Sequence, residues 1–217
     1  MNSSTADLRA RGLVAEQFDD AAQQHATAQF GMWVFLATEV LFFGVLVAGY
    51  FNYRIWYGSE LIAAARHTKV VLGTINTAVL LTSSACMAMA VCSAEARARR
   101  TTTLWLTATA LLGLLFVAIK SYEYFLEYQE HLVPGATFDG GYGRVTELFF
   151  TWYFCATGLH ALHLLIGIGI VTFAAVAIAL NRVPEGMSIR IIGLYWHFVD
   201  IVWIFLFPLI YLAGRNG

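Results

Sequence analysis

Five side chains combine ionisable chemistry with an apolar setting: Glu39, His160, His163, His197 and Asp200. His160 and His163 are three residues apart, as are His197 and Asp200, so on a helix each pair shares a face. Ionisable groups inside apolar runs are costly and each needs a reason. A histidine beside a carboxylate can hold and pass a proton. Histidines from two helices can ligate a haem. A carboxylate-bridged di-metal centre needs Glu-x-x-His on two helices, and the apolar runs hold HxxH and HxxD but no ExxH. The residues read best as a polar cluster bridging helices, with no metal bound. For Glu39, a protonated tie between helices, proton handling, and a lipid or partner contact all stay open. A second group, Lys120, Glu123 and Glu127, falls at i, i+3 and i+7. It reads as an interfacial stripe in which Lys120 pairs with Glu123 or snorkels to the membrane surface.

These residues are informative because the chain is so apolar. Of its 217 residues 59% are hydrophobic and 12% charged, and the mean hydropathy is +0.66. Soluble domains carry about 25% charged residues, and one small domain cannot hide this much apolar surface. A net charge of −1 provides no basic field for nucleic acid. The chain reads as an all-α polytopic membrane protein.

A spanning helix needs about 20 apolar residues. Five runs qualify, at about 30–53, 70–94, 101–128, 148–180 and 191–214, forming one domain over 30–214 behind a polar segment, 1–29. The fourth run would be about 50 Å long as a helix, so it tilts or projects. The longest connection, 129–147, contains Pro134, Gly135, Gly140, Gly141 and Gly143. The polar start has no apolar leader-like stretch, which predicts an uncleaved first span. Five spans put the termini on opposite sides, and the cluster Arg97, Arg99, Arg100 predicts an inside N-terminus and outside C-terminus. Cys86, Cys92 and Cys155 read as small buried hydrophobes. Trp56, Trp105 and Trp152 fit an aromatic belt, and Gly44 with Ala48 a close helix contact.

Segment 193–207, Gly-Leu-Tyr-Trp-His-Phe-Val-Asp-Ile-Val-Trp-Ile-Phe-Leu-Phe, closely resembles the C-terminal signature of subunit III of haem–copper oxidases. Thr157-Gly-Leu-His-Ala-Leu-His163 with Gly167 is similar to a second motif of that family. The stretch Trp33 to Phe43, with Thr38-Glu39-Val40, is similar to its segment bearing an intramembrane glutamate. Tyr122-Glu123-Tyr124 and residues 76–84 also fit. The resemblance implies the five-helix bacterial form in the inner (plasma) membrane, N-terminus inside. It implies a chain non-catalytic by itself in a cytochrome c or quinol oxidase that reduces oxygen and translocates protons. Haem and copper would sit on partner subunits, with none on this chain. The partners would be subunits I and II, with bound phospholipid and no nucleic acid. Glu39 would match the carbodiimide-reactive glutamate; His160, His163, His197 and Asp200 would match the other signature polar residues. His131-Leu-Val-Pro-Gly135 departs from the family's usual loop, leaving the donor open. The alternatives are an accessory chain of a nitric oxide reductase and, from another class, a haem-binding membrane electron carrier.

Overall fold

The structure, a computed structural model, describes residues 21–135, 138, 143–182 and 188–213. Most of the polar N-terminal segment (with Arg9 and Arg11), Gly140, Gly141, Gly214 and Arg215 lie outside the described residues. The described chain is all helical: α1 Ala21–Trp56, α2 Gly58–Ala65, α3 Val70–Glu95, α4 Arg99–Gln129, α5 Arg144–Ala179 and α6 Ile189–Phe207. All but α2 are long and apolar enough to cross a membrane. Two differences from the sequence expectation are the largest. Helix α1 includes the polar residues 21–29 as well as the apolar run, because they are rich in Ala and Gln, which favour helix. Helix α2 lies in the connection 54–69, where Leu61, Ala64 and Ala65 are buried; eight residues are too few to signal themselves by hydropathy.

Successive long helices run antiparallel, which gives the bundle two ends. At one end Lys69 Nζ bonds Glu130 at 2.5 Å; at the other Arg190 bonds Glu95 at 2.7 Å. Helices α3 to α6 pack as a four-helix core and α1 lies at its edge. The most apolar stretch of α1 is only 11% buried, against 56% for that of α6. What holds α1 is specific. Trp152 Nε1–H donates to the Leu46 carbonyl at 2.8 Å, and its ring lies 4.7 Å from that of Tyr50. Trp152 is therefore a clamp rather than part of an aromatic belt, whereas Trp56 is 76% exposed, as a belt residue would be.

Three helices end alike. Arg97, His131 and Asn181 adopt left-handed φ values of 55 to 57°, and the following N–H reaches back to the last full turn: Ala98 to Ser93 O, Leu132 to Glu127 O, Arg182 to Ala177 O. This Schellman arrangement satisfies carbonyls that the end of the helix leaves without an intrahelical partner. Glycine would suit the cap position, but Arg, His and Asn occupy it, so the signal was hidden in the sequence.

Between lipid-embedded helices apolar burial gains little, and close packing takes over. A Cβ on Gly73 would meet the Tyr211 ring at 2.7 Å, and one on Gly113 would meet Trp196 at 2.9 Å. These glycines admit the aromatic rings that interlock α3, α4 and α6. Gly44 is not of this kind. A Cβ there meets nothing within 4 Å, so the expected contact through Gly44 and Ala48 does not form within the chain. Cys92 and Cys155 are exposed and Cys86 half-buried, and all three are free thiols. Cys92 and Cys155 face outward from the bundle rather than into its core, because a thiol is apolar enough for either surface.

Gly73→Ala is expected to destabilise the chain by about 1–3 kcal/mol through overpacking against Tyr211. Gly44→Ala should fall within about 0.5 kcal/mol of the parent. Thermal unfolding of the two variants in lipid nanodiscs checks the contrast; equal losses would refute it.

Candidate functional site

The middle of α1 carries Glu39 and the middle of α5 carries His163, and the fold brings them together. His163 Nε2 lies 3.1 Å from Glu39 Oε2. Nδ1 of the same ring lies 2.9 Å from the Leu159 carbonyl. A carbonyl only accepts, so Nδ1 must carry a hydrogen. The Glu39 contact then holds one proton, written either as carboxylate with imidazolium or as carboxylic acid with neutral imidazole. The pair is therefore a proton-sharing unit by hydrogen-bond inventory alone. Phe43 stacks edge-on against His163 at 5.3 Å, and Tyr195 donates to the His163 carbonyl at 3.0 Å, which fixes α5 at this level. The side chains stay 15% and 18% exposed, so the unit sits at the edge of the bundle.

The other candidates do not join it. His160 is turned inward, 5.7 Å from the Phe116 ring and 5.1 Å from the Trp203 ring. Both its ring nitrogens lack a hydrogen-bond partner among the described residues. His197 does not pair with Asp200 as their spacing suggested. Its Nδ1 shares a hydrogen bond with Ser84 Oγ of α3 at 2.7 Å. Asp200 is 3% exposed. Ser84 is the polar side chain that faces it, without reaching hydrogen-bond geometry. A hydroxyl on the neighbouring helix thus comes between two residues that share a face. The single cluster expected from the sequence resolves into a proton-sharing pair at the α1–α5 seam, a lone histidine in the core, and a group at the α3–α6 contact.

The largest difference concerns Lys120, Glu123 and Glu127. They form no interfacial stripe: Lys120 is 3% exposed and both glutamates 0%. Lys120 Nζ spends all three hydrogens, on Glu123 Oε2 at 3.1 Å, Tyr153 Oη at 2.7 Å and Tyr211 Oη at 2.8 Å. Tyr211 and Tyr153 in turn donate to Glu123 Oε1 at 2.7 and 3.3 Å. The result is a closed ring of hydrogen bonds across α4, α5 and the C-terminal turn of α6. That turn, Pro208–Leu212, is π-helical. Pro208 has no N–H to continue the α-helical ladder, and the widened turn carries Tyr211 into the bundle. Glu127 lies one turn further along α4, its two oxygens without a hydrogen-bond partner among the described residues, although Tyr153 faces it. Tyr153, Tyr211 and Ser84 were not singled out in the sequence. In runs this rich in aromatic and small residues nothing distinguishes them, and only Pro208 hinted at the turn. Among the described residues no three His, Cys, Asp or Glu gather to hold a metal ion.

Removing one member of a buried ion pair costs about 3–5 kcal/mol, whereas replacing both with apolar groups is often neutral. Lys120→Met should therefore abolish most accumulation of the folded chain, and adding Glu123→Leu should restore a large part. Membrane yields of the single and double variants measure this; a double variant no better than the single would refute the pairing.

The model of the family described as cytochrome c oxidase subunit III matches residues 7–215. A cytochrome c oxidase subunit 3 of Corynebacterium diphtheriae is 31% identical over 214 residues, 95% of this chain and 98% of that one. A probable quinol oxidase subunit 3 of Staphylococcus saprophyticus is 27% identical over 204 residues, 92% and 96% of the two chains. A heme-copper oxidase subunit I+III of Aeropyrum pernix is 33% identical over 192 residues, 84% of this chain but 22% of that much longer one. With a family match over nearly its whole length and five helices able to cross a membrane, the chain belongs to the cytochrome c oxidase subunit III family and is a multi-pass membrane protein.

Proposed function

We propose that the chain is the non-catalytic third subunit of a respiratory haem–copper terminal oxidase, which reduces oxygen to water and translocates protons. The observation that carries this reading is the Glu39–His163 pair. The family match alone supports membership; the pair adds an intramembrane group that holds one mobile proton at the edge of the bundle, where a neighbouring chain can reach it. Partners are subunits I and II. The relative named subunit I+III, in which this chain's counterpart is part of one longer polypeptide, supports direct packing on subunit I. Haem and copper belong on those partners. Phospholipid fills the space along the exposed face of α1, and the chain sits in the bacterial plasma membrane with its N-terminus inside. The long exposed apolar row of α1 supports a partner or lipid seat there, since the four-helix core leaves it uncovered.

The role of the subunit in this reading is to supply protons and to keep the catalytic chain intact during turnover. Electron donor class is a separate property: relatives named for cytochrome c and for quinol both match along most of this chain.

Purification through a tag on this chain from native membranes tests the reading. Haem- and copper-bearing partner chains should copurify, with oxygen consumption driven by reduced cytochrome c or by a quinol. Nitric oxide consumption instead of oxygen consumption would move the assignment to a nitric oxide reductase accessory chain. A stoichiometric haem signal from the chain alone would overturn it. Within the complex, Glu39→Gln should leave the amount of assembled oxidase unchanged but slow proton uptake or shorten the active lifetime. Unaltered turnover, pumping and lifetime would remove Glu39 from that role.

A further inference from the structure

Glu39 uses only one of its two carboxyl oxygens inside the chain. Oε2 meets His163 Nε2 at 3.1 Å. Oε1 has no hydrogen-bond partner among the described residues and is not enclosed, and 18% of the Glu39 side chain is exposed. The proton of the pair lies between Oε2 and Nε2. Whether the pair is written as carboxylate with imidazolium or as carboxylic acid with neutral imidazole, Oε1 carries no hydrogen and can only accept. In both forms the pair as a whole is uncharged.

What can satisfy this oxygen follows from where it stands. The membrane-crossing stretch of α1 is Ala26–Trp56, and Glu39 is about 20 Å along the helix from its first residue and about 25 Å from its last. Acyl chains have no donor, the ester carbonyls of a phospholipid only accept, and the donors of its headgroup stay at the ends of that stretch. The chain's own surface offers none. Phe35 and Phe42, one turn to either side of Glu39, and Ile166, one turn after His163, are 40, 46 and 49% exposed. The nearest hydroxyl in sequence, that of Thr38, donates to the Phe35 carbonyl at 2.6 Å. A lone water needs about three polar partners, and this apolar rim does not supply them. Away from water an acceptor left without a donor is costly, so the donor comes from outside the chain, on a second helix.

We propose that the α1–α5 seam at Glu39 is an interaction surface for a transmembrane helix of a partner chain, and that an uncharged side chain of that helix donates a hydrogen bond to Glu39 Oε1. The donor is a Ser, Thr or Tyr hydroxyl, an Asn or Gln amide, or a Trp indole. A Lys or Arg would bring a charge that the neutral Glu39–His163 pair does not offset, which is expensive within a bilayer. Phe35, Phe42 and Ile166 form the apolar rim that excludes lipid from the one polar contact, the arrangement of an interface hot spot. Hydrogen bonds between helices are among the few forces that hold helices together in lipid, and this one braces α1 on its open side. The inference rests on the reading of the chain as one subunit of a membrane complex, and it names where that complex touches it.

The test uses the assembled complex with the photoreactive p-benzoylphenylalanine in place of Phe42. Illumination should join this chain to a transmembrane segment of a copurifying subunit, and mass spectrometry should find one of the named donors within a turn of the joined residue. A second measurement compares Glu39→Gln with Glu39→Leu. The amide of Gln keeps an oxygen for the partner and an N–H for His163 Nε2, whereas Leu keeps neither. Under detergent wash Glu39→Gln should retain the partner chains roughly tenfold better than Glu39→Leu, the effect of stranding one donor. The cross-link decides the matter should Glu39→Leu fail to accumulate. Cross-links to lipid alone, a joined segment without such a donor, or equal retention by the two variants overturns the proposal. Haem-bearing chains that copurify without a cross-link at Phe42 overturn the seam and leave the oxidase reading intact. A cross-link to a donor-bearing helix of a complex without haem overturns the oxidase reading and leaves the seam.

Discussion

An ammonium group inside a membrane-spanning bundle must be neutralised where it stands, and that requirement organises this protein. Lys120 has Glu123 as its counter-charge and two tyrosine hydroxyls as its remaining acceptors. Each contact fixes something different. Glu123 fixes which face of α4 points inward. Tyr153 fixes the rotation of α5. Tyr211 fixes the end of α6, and needs the π-helical turn after Pro208 to arrive. The Tyr211 ring then lies on α3 at Gly73, where no other residue would leave it room. One ion pair thus sets the register of four helices. In lipid, where apolar contact between helices gains little over contact with acyl chains, such interlocking polar groups and close glycine contacts carry the specificity.

Helix α1 stands outside that system. It has no counterpart of the buried ring and is fastened by the Trp152 clamp and the Glu39–His163 bond. Its exposed side chains include Phe30, Trp33, Val34, Leu41 and Val45. A helix attached at few points is the part of the bundle most easily shifted by a neighbour, and the proton-sharing pair lies on that seam. The rigid site and the adjustable site are therefore different places, built by the same need to satisfy polar groups away from water.

How far the sequence foretold this depends on the kind of information involved. The five long helices were legible because a membrane span is a one-dimensional property of hydropathy. So was the place of Glu39 inside the first of them. Adjacency was not. The i, i+3 spacing of His197 and Asp200 was read correctly as a shared face, yet Ser84 of another helix takes the histidine. Lys120, Glu123 and Glu127 were read as facing the membrane surface because they follow an apolar run; position along a helix says nothing about rotation around it. Cys92 and Cys155 were misjudged for the same reason, since in a bilayer the outward face is apolar too. Gly44 and Gly73 look alike in sequence, and only the ring opposite Gly73 distinguishes them.

The two carboxyl contacts inside the bundle differ in how they are enclosed. Lys120 and Glu123 are held by each other and by two tyrosine hydroxyls, so the pair serves as a fixed strut. Breaking it from one side is costly, because the remaining charge would stand unpaired away from water. Glu39 and His163 meet through one 3.1 Å contact, partly exposed, on a helix with few other fastenings. A shift of α1 can part them at the expense of that one bond. The enclosure of an intramembrane carboxyl, and not its depth, thus decides whether it locks the bundle or stays adjustable.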